Sequence, residues 1–71
     1  MSAEIININI NGEPQSVSAG ISLLELIAQK KLQGKRIAVE LNQDIVAKNA
    51  YANTLLSEGD IVEIVNAIGG G

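Results

Sequence analysis

An α+β fold is predicted for this chain, a mixed sheet of four to five strands with one main helix packed across it. Three observations predict it. Residues 4 to 10 and 37 to 41 carry the apolar–polar alternation of half-buried strands. Between them, one segment beginning at Ser22 has both a helix start signal and a broad apolar stripe. Finally, 71 residues make one domain and no more, and 23 of them are isoleucine, valine or leucine, enough for a thin core. A chain 46% hydrophobic and 18% charged is not disordered.

In the first strand, Ile6, Ile8 and Ile10 share one face and Asn7 and Asn9 the other. Asn11-Gly12 is the strongest short signal for a type I′ turn, because both positions need positive φ. The return strand, about residues 13 to 18, contains Pro14, which cannot donate to a ladder and so belongs at a sheet edge. Ser22-Leu23-Leu24-Glu25 reads as a capping box. The helix is predicted to run to about Leu32, with Lys30 and Lys31 at the negative end of its dipole and Gly34 as the left-handed residue beyond.

Ile37, Val39 and Leu41 alternate with Ala38 and Glu40 to give a third strand. Asn42-Gln43-Asp44 reads as a turn into a short partner strand, Ile45-Val46. Residues 47 to 60 read as loop, with Leu55 and Leu56 plugging the core and Tyr51 capping its edge. The last strand runs from Ile61 to about Asn66. Val62 and Ile64 are placed inward, since the opposite register would bury Glu63 at a cost of several kcal/mol. Right-handed crossover returns the strands after the helix beside the first. This ββαββ order is the β-grasp, the ubiquitin-like fold: residues 1–66 form the domain and 67–71 a flexible glycine-rich tail.

Composition excludes whole classes of function. Without cysteine there is no disulfide, thiolate metal site or cysteine nucleophile, and without histidine the commonest general base and metal ligand are gone. Tyr51 is the only aromatic residue, which leaves no stacking platform for nucleic acid. The net charge of −3 argues against a phosphate backbone as partner. Four of the five cations lie between Lys30 and Arg36, whereas Glu58, Asp60 and Glu63 stand unopposed near the end and favour a basic partner surface. The start lacks the pattern of a signal peptide and no apolar run approaches the ~20 residues of a membrane span, so a cytoplasmic protein with no membrane partner is expected. Such side chains are poorly equipped for catalysis, and no bound cofactor or metal is expected.

The tail, Gly69-Gly70-Gly71, has two explanations. It is a frayed terminus, or it is a strip of backbone able to enter a channel too narrow for side chains. Fully extended, Asn66 to Gly71 reach roughly 20 Å, far enough to deliver the Gly71 carboxylate into another protein's active site.

Three stretches carry a resemblance along the whole chain: Gly20-Ile21-Ser22-Leu23-Leu24-Glu25-Leu26; Val39-Glu40-Leu41-Asn42 with Ile45-Val46; and Leu56-Ser57-Glu58-Gly59-Asp60-Ile61-Val62-Glu63-Ile64-Val65 leading into Ala67-Ile68-Gly69-Gly70-Gly71. With them the chain resembles the ubiquitin-like sulfur carriers, above all the ThiS family of thiamine biosynthesis. One departure is Lys48-Asn49 after Val46-Ala47, where a proline-arginine or similar pair is expected.

The resemblance implies a carrier, not an enzyme. An E1-like adenylyltransferase activates the Gly71 carboxylate with ATP and magnesium. A sulfur donor, a cysteine desulfurase or rhodanese-type protein, converts it to a thiocarboxylate, and thiazole synthase receives the sulfur. Gly69 and Gly70 thread the channel. Ile5, Ala38, Ile61 and Val65, on the outer face of the sheet, form the expected docking patch, with Ile68 fixing where the tail leaves the body. Against the patch stands the fact that scattered surface apolars are ordinary. Three rivals remain: the small subunit of molybdopterin synthase, usually longer and with aromatic residues and a Pro-Pro before its glycines; a ubiquitin-type modifier joined through Gly71; and an adaptor with an inert tail.

Overall fold

The computed structural model describes residues 4–66. Ile68, Gly69, Gly70 and Gly71, and with them the tail assigned to 67–71, lie outside the described residues. Five strands, β1 (Ile5–Ile10), β2 (Glu13–Ser18), β3 (Ile37–Leu41), β4 (Asp44–Val46) and β5 (Ile61–Asn66), form one sheet in the order β2-β1-β5-β3-β4. The helix α1 (Leu23–Gln29) crosses one face. β1 and β5 run parallel, and the other neighbours are antiparallel.

The first hairpin turns at Asn11 and Gly12, whose φ values of 52° and 86° are those a type I′ turn demands. Pro14 lies in β2, which is an edge strand as proline requires. The second hairpin uses the same device, with φ of 51° at Asn42 and 75° at Gln43. The turn is therefore two residues long; Asp44, expected within it, opens β4 opposite Leu41.

The capping box forms as predicted: Ser22 Oγ accepts from the Glu25 amide at 3.1 Å, and Glu25 Oε1 accepts from the Ser22 amide at 3.0 Å. The helix stops earlier than predicted. Lys31, at φ 60°, takes the left-handed position assigned to Gly34; its amide donates to the Ala28 carbonyl and that of Leu32 to Ile27. This is a Schellman closure built on a lysine. Gly34 is also left-handed, but it belongs to the next turn, which the Lys35 amide closes on the Leu32 carbonyl at 3.1 Å. Lys30, at the C-cap, donates from Nζ to Gln15 Oε1 at 2.8 Å.

Residues Lys48–Asn53, expected to be loop, form a 3₁₀ helix. The segment after it is stitched to the start of α1: the Leu23 amide donates to the Thr54 carbonyl and the Leu56 amide to that of Ile21, both at 2.9 Å. That pairing turns Leu56 into the core and Leu55 outward, so Leu55 is 60% exposed and is not the core plug expected. Tyr51 goes further in than an edge cap and joins the core.

The core lies between α1 and the sheet, with Leu23, Leu26, Val39 and Val62 fully enclosed and Ile8, Ile27 and Ile64 beside them. None of the described helices is long and apolar enough to cross a membrane. Ile64→Ala is expected to cost ~2–5 kcal/mol, a large share of the stability of so small a domain. Thermal and urea denaturation measure it, and a Tm within a degree or two of wild type contradicts the packing described.

Candidate functional site

The candidate site is the last strand together with the sheet face it helps to build. β5 is the middle strand, and both of its neighbours grip it with asparagine side chains. β1 pairs with β5 only at Asn9–Ile61 and Ile10–Val62 before it turns away. Beyond that point the backbone of β5 faces Asn11, whose Oδ1 accepts from the Ile64 amide at 2.8 Å while Nδ2 donates to the Ile64 carbonyl at 3.1 Å. A carboxamide presents the same donor and acceptor as a peptide, so one side chain stands in for the missing strand. From the other side, Asn42 Oδ1 accepts from the Ile61 amide at 2.9 Å, and the Asn42 amide donates to the Ile61 carbonyl at 2.7 Å.

The Glu58-Gly59-Asp60 turn sets where β5 begins. Gly59 has φ 85°, a conformation glycine adopts without strain. Asp60 Oδ2 accepts from the Ser57 amide at 2.8 Å and Oδ1 from Asn42 Nδ2 at 3.1 Å. The turn is also tied to β1: Glu58 Oε1 accepts from the Asn7 amide, and the Gly59 amide donates to the Asn7 carbonyl. The acidic residues expected to favour a basic partner therefore divide. Glu58 and Asp60 hold the turn, and Glu63 stands on the strand in solvent.

Strand pairing places Ile61, Glu63 and Val65 on the outer face, with Ala38 opposite Val65 and Glu40 opposite Glu63. Of the residues expected to dock a partner, Ile5, Ile61 and Val65 are large exposed apolars, and Ala38 is half-buried beside Val65. Ile68 lies outside the described residues. Two further members of this face, Ile45 and Glu40, were not among the residues expected to dock. Ile45 pairs with Glu40, so it shares the face and is 77% exposed, although alternation gave it no side. Glu40 and Glu63 stand directly opposite one another, a like-charge pair that destabilises a sheet unless both heads reach water. The face is thus aliphatic around an acidic centre. Among the described residues, no group of three or more His, Cys, Asp or Glu side chains could hold a metal ion.

Comparison with known proteins places this architecture. A family model, that of the ThiS family, matches residues 6–71. A thiazole synthase of Paramagnetospirillum magneticum is 40% identical over 62 residues, which are 87% of this chain and 19% of that protein. This chain spans about a fifth of the length of the thiazole synthases it matches. The sulfur carrier protein ThiS of Bacillus subtilis is 36% identical over 50 residues, 70% of this chain and 76% of that one. The crystal structure of the thiamine biosynthesis protein ThiS from Geobacter metallireducens superposes with a TM-score of 0.82 at 32% identity, covering 93% of this chain and all of that one.

The clamp on β5 makes a prediction of its own. Asn11→Ala removes two hydrogen bonds to Ile64 and leaves alanine in the left-handed region, a loss of about 2–3 kcal/mol. Asn11→Gly removes the bonds without the strain and should lose about 1–2 kcal/mol. Amide exchange at Ile64 should quicken more than at Val39 in both; equal protection at Ile64 contradicts the clamp.

Proposed function

The chain belongs to the ThiS family, and on that premise we propose that it is a sulfur carrier of thiamine biosynthesis whose working group is the Gly71 carboxylate. The observation that carries this reading is the family match running through residue 71 in a chain with neither cysteine nor histidine. The chain has no thiol on which sulfur could ride, which supports a backbone carboxylate as its carrier.

A carboxylate is a poor electrophile and must be activated first. Its oxygen attacks the α-phosphorus of ATP in an E1-like adenylyltransferase, pyrophosphate leaves, and magnesium on that partner neutralises the phosphates. A persulfide of a cysteine desulfurase or rhodanese-type donor then attacks the acyl carbon and expels AMP. The acyl disulfide so formed is opened by a thiol, which leaves sulfur on glycine as a thiocarboxylate and carries the oxidised sulfur away as a disulfide. Thiazole synthase is the acceptor. Catalysis belongs to the partners, in the cytoplasm, and this chain contributes a placed tail and a docking face.

The face fits that task. Ile61 and Val65 project from the strand that runs into the tail, and Ile5, Ala38 and Ile45 widen the aliphatic area around Glu40 and Glu63. A partner surface with aliphatic contacts and a cation for the two carboxylates complements it. Ile68 is assigned to fixing the exit of the tail, and Gly69 and Gly70 to passing through a narrow channel.

Val65→Asp should leave the Tm nearly unchanged, because the side chain already faces solvent, yet weaken the complex with the adenylyltransferase at least about tenfold. Unaltered affinity removes the outer face from docking.

The terminus itself is tested by the mass of the C-terminal peptide after incubation with adenylyltransferase, ATP, magnesium and a sulfur donor. Wild type should exchange one oxygen for sulfur. Deleting Gly70 and Gly71 withdraws the reacting carbon by roughly 7 Å, where ~1 Å of misplacement already costs ~10²-fold, so that variant should gain none. Gly70→Leu should fail likewise, with a wild-type Tm in both cases. Sulfur on the truncated chain, or its absence from wild type, refutes the proposal.

A further inference from the structure

A second surface flanks the end of β5, on the opposite side of the sheet from the face just described. Between the end of α1 and the start of β3 lies a groove of about 860 Å³. Leu24, Ile37 and Tyr51 supply apolar walls, and Lys35, Arg36 and Lys48 also line it. Three of the five cations of a chain with net charge −3 therefore gather at one opening. Leu24 is 44% exposed, whereas Leu23 and Leu26 on the same helix are enclosed in the core.

The groove is placed by the same strand pairing as the tail. Ile37 is the register partner of Asn66, the last described residue of β5, so the groove opens beside the root of the tail. Ile37 and Ala38 are successive residues of one strand and point to opposite faces. On one side of the root lies the aliphatic face with Glu40 and Glu63, and on the other the groove with its cations.

We propose that this groove docks an acidic segment of thiazole synthase that carries an apolar anchor, separately from the outer face offered to the adenylyltransferase. The inference rests on the sulfur-carrier reading and names a surface within it. An apolar side chain seated against Leu24 and Ile37 releases water from surface that is otherwise wet. Carboxylates beside it pair with Lys35, Arg36 and Lys48, and Arg36 can receive one in bidentate fashion. The choice of partner follows from two observations. The complement to this charge is acidic, and proteins named thiazole synthase include a region similar to this chain within their own length. Two surfaces of unlike charge beside one tail let two partners take it in turn without sharing a footprint.

The test titrates the full chain with the thiazole synthase of the same organism and, in parallel, follows adenylation of the chain by its E1-like enzyme. Lys35 and Arg36 are exposed, so K35E/R36E should keep the wild-type Tm. It should bind thiazole synthase at least about tenfold more weakly, with a flatter dependence on salt, and be adenylated at the wild-type rate. Leu24→Gln should weaken the same complex while keeping its salt dependence. Wild-type affinity for thiazole synthase in K35E/R36E overturns the inference. So does loss of adenylation with that affinity intact, which assigns the groove to the activating enzyme. A wild-type chain that binds thiazole synthase and acquires sulfur while the groove variants do the same refutes the groove alone. A wild-type chain that does neither refutes the sulfur-carrier reading and the groove with it.

Discussion

β5 can enter the sheet in only one register, and the rest of the molecule is arranged around that constraint. Val62 is fully enclosed and Ile64 nearly so, while Glu63 between them reaches water. A shift by one residue would bury the carboxylate and expose both aliphatics. Hydrophobic patterning alone permits a shift by two, and the asparagines remove that freedom. Asn11 is bonded to both the amide and the carbonyl of Ile64, and Asn42 does the same for Ile61 by combining side chain and backbone. Gly59 and Asp60 fix the approach to the strand. Asn66 consequently comes to rest opposite Ile37, and the point from which any tail must start is set by the fold.

This division of labour suits the carrier role proposed for the chain. Its polar side chains are spent on turns and caps: Ser22 and Glu25 start the helix, and Asn42, Glu58 and Asp60 tie the β5 turn. What remains exposed near the end of β5 is the surface proposed for docking. An acidic aliphatic face and a cationic groove lie either side of one strand, and on the proposed reading they let one tail be presented to two different enzymes.

Much of this was legible in the residues themselves. The β-grasp follows from period-two alternation in β1 and β3, a last strand oriented by keeping Glu63 in water, one capped helix and an Asn-Gly turn, all local signals that agree with the packing. The ends were harder to read. Gly34 and Lys31 both adopt positive φ, and propensity favours glycine as the helix stop. Leu26 and Ile27 already fill the core, so the helix closes early and lysine carries the strain. Leu55 and Leu56 look alike in sequence, and only the pairing of their segment with residues 21 to 23 decides which one is buried. For the site, the outward Ile61 and Val65 follow from alternation, but Ile45 sits on a three-residue strand too short to show any. Asn11 and Asn42 were readable as turn residues. Their second role, bonding a strand 53 and 19 positions away, is a tertiary fact that local pattern does not contain.

The central claim is that sulfur travels on the backbone terminus of this chain. It is tested most directly by a single turnover with thiazole synthase, using carrier charged with heavy-sulfur-labelled persulfide and isolated before mixing. The account predicts that the label begins on the C-terminal peptide, leaves it in one step and appears in the thiazole product, while that peptide returns to its carboxylate mass. A label that stays on the carrier through turnover, or a product whose sulfur never passed through the C-terminal peptide, contradicts it.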